Sequence, residues 1–412
     1  MRISKLEARL AAVGTTARIG LYLVMLFAVG GDADAISGDA ADLHYQASVA
    51  ALDYGYGLTD WGNLIDDAWP VVTGLVYYYI YPSLLTVVVL NGLAAGLALV
   101  LLFRIVMMAT SNRLVAMAVC YTVALFPSAV FFQCLPIKES VAMLAIMSTT
   151  WGLLRVRLNG DQRGVKWMVL GVVLITGLRV YLAPILVYCA ALTLLIRGRR
   201  GLAQALAQLT IWSVLLVVVL QVSLDLAGWE WRQIRAFEYL DVNRLNTVRG
   251  SLSRGDGSLF SQQQMGSRSH AFGNSLANDV FLLATGVYYF LVGIDFFDLR
   301  SNRQMAAVPE ALVIICCLPY VFVGVKALWR YHRAAALPIL IITFALVTVY
   351  GAGTTNMGAM YRWRLQAMPF LAMTIYLGAA HWRRGPVFGV LKIFRSQLPR
   401  RRFAPVFEGP PR

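Results

Sequence analysis

DADAISGDAADLHYQASVAALDYGYGLTDWGNLIDDAW, residues 32–69, holds eight aspartates (Asp32, Asp34, Asp39, Asp42, Asp53, Asp60, Asp66 and Asp67) and not one lysine or arginine. An apolar span precedes it and a run of further spans follows. In a chain of net charge +15, so acidic a segment has been sorted to one side of a membrane. The reading places it on the outer face, as the acidic end of an active site.

Working outward, 59% of the 412 residues are hydrophobic and 14% are charged, with mean hydropathy +0.65. That excludes an ordinary soluble domain. Apolar stretches recur along the whole chain, so the expected fold is an all-α polytopic membrane protein, one integral membrane domain over 1–412. The start MRISKLEAR is basic, but no small-residue cleavage site follows, so the first span is read as retained. The five cysteines have no metal-like spacing and read as packing residues.

The expected spans number about ten. The first covers 13–30, after a basic tail that includes Arg18. Pro70 and Pro82 bracket a re-entrant or interfacial piece whose tyrosines suit the headgroup level, so 32–82 forms the first outer loop. The second span is 83–103, closed by Arg104, followed by 114–133 and a short 140–154. Further spans are expected near 209–228, 308–325, 334–350 and 365–380, with a basic cytoplasmic tail over 383–412. Gly92 and Gly96 form a GxxxG pair, a helix-packing signal.

With both termini inside, the inner segments hold 24 Lys and Arg against 3 acidic residues, and the outer segments 12 against 18. The +15 charge therefore reports membrane orientation rather than a nucleic-acid partner. Residues 167–196 must go out and return between basic loops. Each arm then has about 20–22 Å of helix against a hydrocarbon core of about 30 Å. Arg179, at the tip, is expected below the outer surface. The long outer segment 229–307 carries eight arginines and no lysine; its Ser/Gly/Gln-rich part, 250–276, reads as mobile, and its apolar run 280–294 as a surface or re-entrant helix. Those arginines suit phosphate, or reflect a chain that uses 31 Arg to 5 Lys.

Ionisable groups in or beside spans are expensive and are usually paired or functional. On the outer side these are Asp42 with His44 and Tyr45, Lys138 and Glu139, Arg179 with Tyr181, Glu310, and Asn356, Tyr361, Arg362 and Arg364. Lys138 and Glu139 have an alternative as an interfacial ion pair, and Arg362 and Arg364 as snorkelling anchors. The aspartates of the first loop do not fit a calcium-loop pattern, because Ile36 and Leu43 fall at ligand positions and Gly38 is misplaced. No metal ligand is assigned, and a divalent cation stays open.

The motifs Asp42-Leu-His-Tyr45, Tyr81-Pro-Ser-Leu-Leu85, Pro136-Ile-Lys-Glu-Ser140, Arg179-Val-Tyr181 and Asn356-Met-Gly-Ala-Met-Tyr-Arg-Trp-Arg364 are together similar to the GT-C type integral membrane glycosyltransferases. Among these the chain most resembles bacterial members related to protein O-mannosyltransferases. The resemblance implies an enzyme of the bacterial inner membrane with its site outward. It implies a polyprenyl-phosphate-linked sugar as donor, a glycan, lipid or protein as acceptor, and a catalytic acid in the first outer loop. That role falls on Asp42. Many members pair two acids there, whereas Leu43 and His44 follow Asp42, so Asp39 and Asp53 stay open. Transfer to a hydroxyl needs a base near the acceptor and stabilisation of the departing phosphate. Lys138, Arg179, Arg362 and Arg364 suit the second task. The alternatives are a polymerase of O-antigen or exopolysaccharide type, a lipid or solute transporter, and a non-catalytic assembly subunit.

Overall fold

The chain enters its first helix through Ser4, whose hydroxyl accepts the Glu7 amide at 3.3 Å while the Glu7 carboxylate accepts the Ser4 amide at 2.7 Å. This reciprocal cap satisfies two of the amides that a helix start leaves unpaired. The computed structural model describes residues 3–31, 38–56, 63–179, 181–196, 210, 276–293, 302–353 and 357–382. Among them the regular structure is all helix: α1 (Lys5–Ala28), α2 (Gly38–Gly55), α3 (Asn63–Tyr79), α4 (Leu84–Thr110), α5 (Arg113–Leu125), α6 (Pro127–Cys134), α7 (Glu139–Asn159), α8 (Arg163–Leu178), α9 (Leu182–Leu195), α10 (Leu276–Val292), α11 (Asn302–Tyr331), α12 (Arg333–Gly353) and α13 (Met357–His381).

Among the described residues, five helices are long and apolar enough to cross a membrane: α1, α4, α7, and most of α11 and α12. A sixth is added if α5 and α6, bent by 55°, count as one. The chain is thus a helical membrane protein, but the described residues do not supply ten spans. The expected span at 209–228, the mobile segment 250–276 and the basic tail 383–412 lie outside them, apart from residue 210. Part of the shortfall is physical. With 16 and 14 residues, α8 and α9 are about 24 and 21 Å long, the two short arms that the hairpin at 167–196 requires.

Several boundaries differ from the expectation. The first acidic segment is not a plain loop, because α2 fills 38–55. Pro70 does not begin the next piece; α3 starts seven residues earlier and runs through it. Arg104 does not close the second span, and α4 continues to Thr110. It can do so because Arg104 pairs with Glu7 at 2.5 Å and lies over the Trp151 ring, so the charge need not reach water. The fourth span is not short either, since α7 runs for 21 residues.

Leu99, Leu101, Leu102, Ile105, Met143 and Ile146 have no exposed surface, and they place α4 and α7 at the centre. Leu23, Val24, Phe27, Val173, Phe322 and Phe344 face outward. In water such a surface would aggregate; in a bilayer it is the lipid-facing wall. Gly92 and Gly96 let α1 close onto α4: a Cβ on Gly96 would stand 2.6 Å from Thr15 Oγ1 and 2.7 Å from the Ala11 carbonyl oxygen. The Thr15 hydroxyl donates to the Gly92 carbonyl at 3.0 Å.

α11 and α13 cross by the same device, with Gly324 against the Thr374 carbonyl and Gly378 against the Tyr320 carbonyl. Gly378→Val is expected to cost about 3 kcal/mol, the upper end for overpacking, because the obstruction is backbone and cannot rotate away. A thermal melt of the purified protein checks this; an unchanged midpoint would reject the close crossing. At the turn between α7 and α8, the Arg163 amide donates to Asp161 at 2.9 Å and Arg155 pairs with it. These two contacts hold the Asp161 carboxyl below its usual range.

Candidate functional site

Pro127 has no amide hydrogen, so the helix cannot run on from α5 and the axis turns at Phe126. The break frees the Ala124 carbonyl and the Ser128 amide, which would bond to each other in a continuous helix. Arg18 Nη1 donates to the Ala124 carbonyl at 3.0 Å, and the Ser128 amide donates to Glu310 Oε2 at 3.3 Å. A cation meets the freed carbonyl and an anion meets the freed amide.

Arg18 has no exposed surface. Its other hydrogen bonds go to Gln133 Oε1, at 2.9 Å from Nε and 2.5 Å from Nη2, and to the Gly14 carbonyl at 2.8 Å. It does not belong to the basic tail, as expected from sequence, but bolts α1 to the broken helix.

The helix ends beside this break carry two buried carboxylate–arginine pairs. In the first, Arg179 Nη2 stands 2.5 Å from Glu139 Oε1, with the side chains 7% and 3% exposed. Arg179 Nη1 donates to the Tyr181 hydroxyl at 2.9 Å. Its guanidinium lies 5.6 Å from the Trp363 ring centre and 5.9 Å from that of Tyr350. Glu139 Oε2 accepts Gln366 Nε2 at 3.1 Å, and Gln366 Oε1 accepts the Tyr350 hydroxyl. Four elements, α7, the α8–α9 tip, α12 and α13, thus meet at one carboxylate. Glu139 is enclosed because Arg179 and Gln366 satisfy it.

In the second pair, Arg364 Nη2 binds Glu310 Oε1. Arg364 Nη1 donates to the Leu291 carbonyl at 3.2 Å and lies near that of Val292, at 3.4 Å. These carbonyls are open because α10 ends there, at Gly293 with φ 97°. The guanidinium lies 4.3 Å from the Tyr361 ring centre. Arg364 is fully buried, so it is not a snorkelling anchor.

The turn before α7 is pinned from two sides. Asn91 Nδ2 donates to the carbonyls of Leu135, at 2.8 Å, and Ile137, at 2.7 Å, while Trp69 Nε1 lies 3.3 Å from that of Pro136. α2 crosses α3 where Gly74 faces Ala47, Ala50 and Ala51. From there His44 reaches the Tyr77 hydroxyl at 2.8 Å. His44, Thr73, Tyr77, Leu84, Val87 and Pro136 line one crevice, which ties α2 to the Lys138–Glu139 turn.

The structure therefore brings Glu139, Arg179 and Tyr181 into one cluster and Glu310, Tyr361 and Arg364 into a second. Lys138 and Arg362 are half-buried beside them. His44 faces Tyr77, whereas Asp42 and Tyr45, three residues apart on α2, are exposed. Asn356 lies outside the described residues. Sequence reasoning missed Arg18, Gln133, Tyr350 and Gln366, although a glutamine inside an apolar span was a visible signal. Among the described residues no three His, Cys, Asp or Glu side chains gather as metal ligands. Compared with protein-family models, curated proteins and solved structures, the chain matches none.

Proposed function

We propose that this chain is a GT-C-like membrane glycosyltransferase. It moves a sugar from a polyprenyl-phosphate-linked donor to an acceptor at the outer face of a bacterial inner membrane. One observation carries the reading: motifs far apart in sequence meet at one end of the bundle as two buried carboxylate–arginine pairs, joined through the His44–Pro136 crevice to the helix that bears Asp42. Paired charges buried at this end suit a donor whose reacting phosphate sits at headgroup depth. Asp42, exposed on α2, is the general base for the acceptor hydroxyl. Lys138 and Arg362, half-exposed at the same end, meet the donor phosphate. Arg179 and Arg364, buried against carboxylates, form the floor of the site beneath them.

A second reading, a polymerase joining lipid-linked repeat units, is favoured by the eight arginines of 229–307. Incubating the reconstituted protein with polyprenyl-phosphate-linked sugars separates the two. Single transfer gives free polyprenyl phosphate and one-sugar products, whereas polymerisation gives a ladder. Both readings need the Glu139 end outside. In a background without the native cysteines, Gln46→Cys is expected to react with an impermeant maleimide on intact cells, and Asn159→Cys only after permeabilisation. The reverse pattern would put the site in the cytoplasm and end both readings.

A further inference from the structure

The far halves of α2 and α3, with the residues just past their ends, carry tyrosines that the site above does not use. Tyr78, Tyr79 and Tyr81 are 51%, 67% and 65% exposed, and Tyr56 is 77% exposed. Exposed rings of this kind usually mark an interaction surface when they cluster. These do. Tyr54 meets Tyr78 edge to face with centroids 5.1 Å apart and Tyr79 at 5.8 Å, while Tyr78 and Tyr79 are 5.0 Å apart at 90°. The hydroxyls of Tyr54 and Tyr79 lie 2.7 Å apart, within hydrogen-bonding distance. Tyr78 rests on Gly55, where a Cβ would stand 3.1 Å from the ring. The three rings hold one another in a fixed mutual arrangement, so binding to them costs little ordering.

Charge decides what fits. No lysine or arginine occurs between Arg18 and Arg104, and Asp53 sits one residue before Tyr54. A phosphate-rich surface or an acidic polymer would find only like charge here. A pyranose offers a flat C–H face bounded by hydroxyls. Aromatic rings match the face, because their negative π clouds attract the polarised C–H bonds, and a carboxylate or phenol matches the hydroxyl edge.

We propose that Tyr54, Tyr78 and Tyr79, with Tyr56, Tyr81 and Asp53, form a binding platform for an uncharged saccharide chain. Its role, holding a glycan acceptor near Asp42, rests on the transferase reading; the binding itself does not.

The test uses the full chain in lipid nanodiscs, free of glycoside detergent, titrated with cellohexaose, chitohexaose and, as an anionic control, hexagalacturonate. At least one neutral hexasaccharide is expected to bind and the anionic one not to. Tyr78→Ala and Tyr79→Ala should each weaken binding by about tenfold or more. Tyr79→Phe, which keeps the ring and loses only the hydroxyl contact to Tyr54, should weaken it less. Absence of binding to both neutral sugars overturns the platform, as does affinity unmoved in both alanine variants. Variants that lose stability while the wild type binds no sugar would assign the rings to membrane anchoring instead. Asp42→Asn separates the two claims: sugar binding kept with transfer lost supports both. Sugar binding in a wild type that transfers nothing supports the platform and removes the transferase.

Discussion

Asp42→Asn is expected to lower sugar transfer by at least about 100-fold while leaving the protein folded and the donor bound, since a general base contributes roughly 10²–10⁴ in rate. The side chain is exposed on α2, so the substitution removes no buried partner. A loss of rate therefore reports chemistry and not stability. Asp53 lies three turns further along the same helix, and Asp39 one turn earlier. Near-normal turnover in Asp42→Asn with loss in Asp39→Asn or Asp53→Asn would move the base to that position. Retention in all three would remove the transferase reading.

Breaking the Glu139–Arg179 pair is expected to have the largest effect on stability. Glu139→Leu leaves a buried guanidinium facing no carboxylate and is expected to cost about 3–5 kcal/mol. Adding Arg179→Leu should recover part of that loss, because an apolar pair of similar volume carries no desolvation cost. Arg179→Lys then divides structure from substrate contact. Lysine keeps the charge toward Glu139 but lacks the fork that also reaches the Tyr181 hydroxyl. A structural Arg179 predicts a folded protein with donor affinity unchanged. A steep fall in donor affinity with the fold intact would return Arg179 to the role of phosphate clamp. Thermal melts and donor titrations read the two effects separately.

Much of this end of the bundle was legible before any tertiary contact was known. Glu139, Arg179, Glu310 and Arg364 stood out because each breaks an apolar context. The hairpin expected at 167–196 is present as α8 and α9, of 16 and 14 residues, with Arg179 at its tip. Gly92 and Gly96 marked a close helix contact, and α1 fills it. What failed was the reading of charge as a boundary. Arg18 and Arg104 were placed at span edges because an unpaired arginine belongs in water. Both sit inside helices, because Gln133 with the Ala124 and Gly14 carbonyls for Arg18, and Glu7 for Arg104, take the place of water as hydrogen-bond partners.

Hydropathy, read along one dimension, determined that this chain is a helical membrane protein. Bilayer insertion is a local matter: each segment partitions by its own composition, so the sequence suffices. Which cation meets which anion was decided only by the tertiary structure. Glu139 was as near in sequence to Lys138 as any residue can be, yet its carboxylate is satisfied by Arg179 and Gln366, 40 and 227 residues away. A buried charge is stabilised by whatever the packed helices bring within hydrogen-bonding distance, and that depends on the crossings of α7, α8, α9, α12 and α13 rather than on separation along the chain.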